Sequence, residues 1–206
     1  MEGTDPVNKK LAAALSGSAA LVLALTGCSE ESDKEKDAWA KKVCDKVKPQ
    51  VTKIQEANVS IDEVSRKKPK SDSEKAARAV SEQVKKTDSA AFHKISRAYG
   101  SLATAVDDAG APPVDDGATL KKDAVAELKT LSRKYAGLKR TVDKLDTEDQ
   151  GEFGRGLKGV ANELKQLGES GDQALSKLQS GDLGEAMAKQ KGCKKPGKAT
   201  NAPDGS

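Results

Sequence analysis

Beyond residue 38, apolar residues return every three or four positions through most of the chain. That spacing lines one face of an α-helix, so the pattern predicts amphipathic helices. In the first segment Trp39, Val43, Val47, Val51 and Ile54 form one stripe. Pro49 interrupts it. Proline lacks an N–H and crowds the carbonyl four residues back, so a kink or restart is expected there. Ser60 and Glu63 stand at capping-box spacing and predict a short extra turn bearing Ile61 and Val64. Residues 66–73 are basic and polar and read as a loop.

The second segment opens with Ser71 and Glu74, again at capping-box spacing. It continues through Val80, Val84, Phe92, Ile95, Tyr99, Leu102 and Val106. Gly110-Ala111-Pro112-Pro113 stops it, because the prolines forbid continuation. The third stripe is the most regular: Ala124, Leu128, Leu131, Tyr135, Leu138, Val142 and Leu145. The fourth begins after Thr147, with Gln150 at capping-box spacing. Phe153, Leu157, Val160, Leu164 and Leu167 follow, then Gly171, Ala174 and Leu178, and a last turn with Leu183 and Met187. No segment alternates apolar and polar residues in the manner of a strand. The expected fold is all-α: an antiparallel, up-down four-helix bundle over residues 38–193 with its first helix kinked near Pro49.

Ahead of the bundle, Lys9 and Lys10 precede an uncharged run from Leu11 to Leu25 and then Thr26-Gly27-Cys28-Ser29. A basic start, a short apolar stretch and small residues before a cut site read as an export signal over residues 1–27. The run is shorter than the ~20 apolar residues a spanning helix needs. Glu2 and Asp5 fit a basic start badly, and Val7 would open the signal better than Met1. Leu25-Thr26-Gly27-Cys28 resembles the bacterial lipobox. That resemblance implies cleavage after Gly27, a diacylglyceryl thioether on Cys28 and a membrane anchor; an ordinary signal peptide is the alternative. Residues 28–37, rich in Ser, Glu, Lys and Asp, are expected to form a flexible stalk.

In an exported chain the two remaining cysteines, Cys44 and Cys193, predict a disulfide, with two unpaired thiols as the alternative. In an up-down bundle they lie at the same pole. The chain-entropy model gives such a long closed loop about 5 kcal/mol. Residues 194–206 are expected to be a disordered basic tail. Lys189, Lys191, Lys194, Lys195 and Lys198 would lie at the lipid-bearing pole, either as solubilising charge or as contacts to anionic lipids or wall polymers.

Composition narrows the chemistry. Of 206 residues, 36 are Lys or Arg and 32 Asp or Glu, a net charge of +4 that demands no polyanionic partner. One Trp, two Tyr and two Phe offer little for base stacking, so no nucleic-acid partner is expected. The single His93 excludes His-rich metal sites and reads as a helix-surface residue. Gly154-Arg155-Gly156-Leu157-Lys158-Gly159 satisfies G-x-G-x-x-G but follows Glu148-Asp149-Gln150-Gly151-Glu152 where the dinucleotide fingerprint needs a buried strand. It reads instead as small residues at a close helix approach. Asp107, Asp108, Asp115 and Asp116 bracket the proline turn without EF-hand spacing and read as solvated or capping residues.

The lipobox, Trp39-Ala40-Lys41-Lys42-Val43-Cys44, the Lys48-Pro49-Gln50-Val51 stretch through Ile54 to Ala57-Asn58, and Pro112-Pro113-Val114 between long helices together resemble the small secreted lipoproteins of actinobacteria. The resemblance implies a lipid-anchored, mostly helical exported protein and brings no catalytic residues, metal or cofactor. The expected role is a non-enzymatic structural or protein-interaction module on the extracytoplasmic face of the bacterial membrane, or released from it. Its partner would be an envelope protein or an anionic wall polymer. The alternative is a small-ligand or solute-binding lipoprotein.

Overall fold

The computed structural model describes residues 26–170 and 173–194, with side chains placed for 30–167 and 176–194. The expected leader through residue 25, Gly171, and the tail from 195 on, including Lys195 and Lys198, lie outside the described residues. The fold is all-α. Its helices are α1 (Thr26–Ser65), α2 (Glu74–Ala109), α3 (Gly117–Asp143), α4 (Gln150–Ser170), α5 (Gln173–Leu178) and α6 (Gly181–Lys189), with no strand among the described residues.

The helix starts differ from several sequence expectations. α1 is one helix of 40 residues with Pro49 inside it. Residues 29–37, expected as a flexible stalk, are helical. Glu and Lys are good helix formers, and extending a docked helix avoids the cost of a new nucleus. Long-range ion pairs also hold this stretch: Lys36 lies 2.8 Å from Asp182 of α6, and Asp37 lies 3.8 Å from Lys189. Ser60 starts no separate turn, because its hydroxyl donates back to the Ala57 carbonyl at 2.7 Å inside the continuing helix. Ser73, not Ser71, caps α2: its Oγ accepts from the Ala76 N–H at 3.3 Å while Ser71 Oγ lies 3.0 Å away from it. At α4 the capping oxygen belongs to Asp149, whose Oδ1 accepts from the Glu152 N–H at 2.8 Å. Asp116 occupies the N-cap of α3 with φ 57° and makes no side-chain capping bond. The fourth apolar segment is divided into α4, α5 and α6.

The core has two halves. In one, Trp39, Ala40, Val43 and Cys44 of α1 meet Leu102 and Val106 of α2, Ala124 and Leu128 of α3, Leu178 of α5, and Leu183 and Met187 of α6. In the other, Ala57 of α1 meets Phe92 and Ile95 of α2, Leu131, Leu138 and Val142 of α3, and Val160 and Leu167 of α4. α4 therefore covers one half of the three long helices, and α5 with α6 covers the other. α1 and α2 run antiparallel: the Trp39 Nε1–H donates to the Gly110 carbonyl at 3.0 Å, while Lys94 lies 3.5 Å from Glu56.

A pair of serines clasps α2 to α3. Ser96 Oγ donates to the Ser132 carbonyl and Ser132 Oγ donates to the Ser96 carbonyl, each at 2.8 Å. Two hydroxyls thus find acceptors on opposite backbones, so the polar groups at this crossing are not left without partners.

Candidate functional site

Cys44, Cys193, Lys189, Lys191 and Lys194, singled out from the sequence, come together at the pole where α6 ends against the first half of α1. Cys44 and Cys193 are joined as a disulfide, their Cα atoms 5.0 Å apart and 149 positions apart in the chain. Cys44 is fully buried among Trp39, Val43, Leu183 and Met187, so the bond is set in the apolar core. Gly192 makes that seating feasible: a Cβ there would collide with the carbonyl of Cys44. The turn before Cys193 closes with its N–H donating to the Gln190 carbonyl at 3.1 Å.

Charged groups ring this pole. Lys36 bridges Asp33 and Asp182, and hydrogen bonding to Lys36 pulls the Asp182 carboxyl below the usual carboxylate range. Lys42 donates to the Asp108 carbonyl at 2.6 Å, at the end of α2 where backbone acceptors lack helical donors. Lys46 lies 3.1 Å from the Asp108 carboxylate. Lys121 lies 2.9 Å from Asp107 and holds that carboxyl below its ordinary value. Two of the four aspartates around the proline turn are therefore engaged by lysines. Among the described residues no group of three or more His, Cys, Asp or Glu side chains comes together as a metal site would require.

Of the basic tail, Lys189, Lys191 and Lys194 fall within the described residues; Lys189 ends α6 and faces Asp37, while Lys191 and Lys194 follow on either side of the disulfide turn. Cys28 lies in the first turn of α1 by its backbone. His93 is exposed on α2. The G-x-G-x-x-G residues lie within α4, where no strand precedes them. Only Gly156 serves a close approach, to the Leu145 side chain; a Cβ at Gly154 or Gly159 would meet nothing within 4 Å.

Sequence reasoning passed over Asp88. It is buried on α2, 7% exposed, and its Oδ1 has no hydrogen-bond partner. Desolvation pushes its carboxyl up to about 6. Asp88 lies seven residues after buried Ser81 and seven before buried Ile95, a spacing that places a carboxylate on the apolar face and was visible in the sequence. Elsewhere an open groove of about 650 Å³ runs between late α1 and early α2, with Ala57, Ser60, Glu82, Lys86, Ala90 and Lys94 among its walls. Among the described residues no helix is long and apolar enough to cross a membrane. No family model, curated protein or solved structure matches the chain.

Proposed function

We propose that the protein is a lipid-anchored, extracytoplasmic and non-enzymatic helical module that acts by contact in the bacterial cell envelope. The observation that carries this reading is the bond between Cys44, fully buried midway along α1, and the half-buried Cys193 after α6. A structural disulfide persists in an oxidising compartment, and the lipobox-like Leu25-Thr26-Gly27-Cys28 gives the route there. With Cys28 as the attachment point, the membrane-proximal end of the bundle is the disulfide-closed pole. Lys189, which faces Asp37, lies toward the anchored end, and Lys191 and Lys194 follow it. A lysine close to anionic headgroups or wall polymer contributes about 1 kcal/mol, and Lys195 and Lys198 belong to the same expected contact by sequence alone.

The architecture belongs to the same reading: an up-down bundle whose fourth position is shared by α4 and α5–α6. Its support is the pairing of early α1 with the end of α2 and of late α1 with the middle of α2. The bend expected at Pro49 is part of it, since the missing N–H leaves the Asp45 carbonyl without its helical donor.

Metabolic labelling with an alkyne fatty acid, in cells producing the wild type and Cys28→Ala, tests the anchor. The expected result is label on the wild type only, with Cys28→Ala moving to the soluble or released fraction. Equal labelling of the two overturns the anchor. Mass spectrometry without reductant is expected to find the peptides of Cys44 and Cys193 joined; free thiols on protein taken from living cells overturn the oxidising address.

A further inference from the structure

The outward face of α3 and its C-cap Lys144 carry a file of exposed basic residues, none of which forms an ion pair among the described residues, though Lys129 helps to hold Asp107 below its ordinary value. Lys122, Lys129, Arg133, Arg140 and Lys144 are all exposed. Their spacings are seven, four, seven and four residues, so the file consists of two interleaved eleven-residue repeats. Eleven residues make about three helical turns, which keeps all five within a narrow strip about 33 Å long at ~1.5 Å per residue. The buried residues of α3, including Ala124, Leu128, Leu131, Leu138 and Val142, occupy the opposite face.

Two features distinguish this strip from an ordinary solvated face. The basic residues of α3 that border α2 are paired with acids, Lys121 with Asp107 and Lys139 with Asp143, at 2.9 and 2.6 Å. None of the five in the strip takes part in an ion pair among the described residues; Arg133 donates only to Thr130 Oγ1, at 2.9 Å. Of the positions between them Ala126, Ala136 and Gly137 are small, and Val125, between Lys122 and Lys129, is buried. They keep the ridge low, so a narrow chain could reach the charges along its whole length.

We propose that the outer face of α3 binds an extended, base-free polymer with phosphate groups along its backbone, laid along the helix axis. The partner follows from the shape of the charge. A flat anionic membrane would also meet the flanking carboxylates of Asp123 and Asp143, both exposed, whereas a thin chain in the strip avoids them. A nucleic acid would gain stacking, yet all five aromatic rings are buried or half-buried. Lysine and arginine both suit phosphate, and arginine adds paired hydrogen bonds. The proposal takes from the envelope reading only the setting in which such polymers occur; binding in solution tests it without any lipid anchor.

Purified full-length protein is titrated with long-chain inorganic polyphosphate across a salt series, beside orthophosphate and vesicles rich in phosphatidylglycerol. Five neutralised phosphates predict a slope of log K against log salt near −3.5, from about 0.7 per contact on a single chain. The variant K122Q/K129Q/R133Q/R140Q/K144Q is expected to bind at least about 30-fold more weakly with a much flatter slope. A second variant, R66Q/K67Q/K68Q/K70Q, is expected to bind like the wild type. Circular dichroism checks that both stay helical, and K129Q/R140Q replaces the fivefold variant if that one does not fold. Binding of the strip variant within twofold of wild type overturns the proposal. So does a loss confined to the loop variant, or binding to vesicles with none to polyphosphate.

Discussion

Asp88 sets the pH response of the bundle. Its carboxyl titrates near 6 in the folded protein because burial disfavours the charged form, against 3.8 for the ordinary group. The folded state therefore holds the proton more tightly than the unfolded chain, and stability rises as pH falls from 7 through 6. The linkage amounts to up to about 3 kcal/mol, complete near the unfolded value. Asp107, Asp143 and Asp182 act in the opposite sense: lysine partners depress their carboxyls, so their contribution is lost as pH falls below the usual range. Stability is expected to peak between about pH 4 and 6. Asp88→Asn should raise the unfolding free energy at pH 7, read by urea denaturation, by about 1–2 kcal/mol, and remove most of the rise between pH 7 and 5. Gly192 is a second residue with an outsized effect. Gly192→Ala places a methyl group against the Cys44 carbonyl, so the turn bearing Cys193 must move. A loss of about 1–3 kcal/mol and a measurable fraction of free thiol are expected, read by thermal melting and thiol titration without reductant.

At the scale of the elements, α4 is the weakest long helix by composition, with Gly151, Gly154, Gly156, Gly159 and Gly168 among its 21 residues. Glycine inside a helix costs about 1 kcal/mol relative to alanine. Gly154→Ala and Gly159→Ala meet open space, and each should stabilise by about that amount in chemical denaturation. Gly156→Ala should do the reverse, because its methyl group would displace Leu145. The same contrast shows what sequence could reveal. The apolar stripes of α2, α3 and α4 were legible because burial imposes a period, and Phe153, Val160 and Leu167 are buried as that period requires. The helical run at 29–37 was not legible, since polar contacts from Lys36 and Asp37 to residues far along the chain secure it, and such pairs leave no period. Ser71 and Ser73 could each have capped α2, and only the path of the loop decides for Ser73. The basic file on α3 was present in the spacing of Lys122, Lys129, Arg133, Arg140 and Lys144. It acquires meaning only once the opposite face is known to be inside.

For the molecule as a whole, one covalent bond ties the turn after α6 to the middle of α1. Cys44→Ser with Cys193→Ser should lower stability by about 4–5 kcal/mol on the chain-entropy model. Trp39 reports that change. The single tryptophan is 5% exposed and packs in the same cluster as Cys44, Leu183 and Met187. Loosening of α6 in the cysteine-free variant should shift its emission to longer wavelength before α2 and α3 lose ellipticity. Coincident transitions would mean that the pole and the rest of the bundle unfold together. The disulfide is legible as two cysteines in a chain whose leader reads as an export signal, and the pole they share follows from the order of the helices. The orphaned carboxyl of Asp88 and the serine clasp of Ser96 and Ser132 depend on how two helix surfaces meet, which one-dimensional spacing does not encode.

The helical form of residues 29–37 makes this stretch a shaft instead of a tether. Residues 29–37 are held at a set azimuth about the α1 axis, and each residue inserted among them would turn those before it by ~100° and push them ~1.5 Å outward. Insertions of one, two, three and four alanines after Lys34 should therefore act as a dial, swinging α3 and its basic ridge toward or away from a neighbouring surface. The effect should be periodic in the number of residues, with a return near the starting bearing at about four.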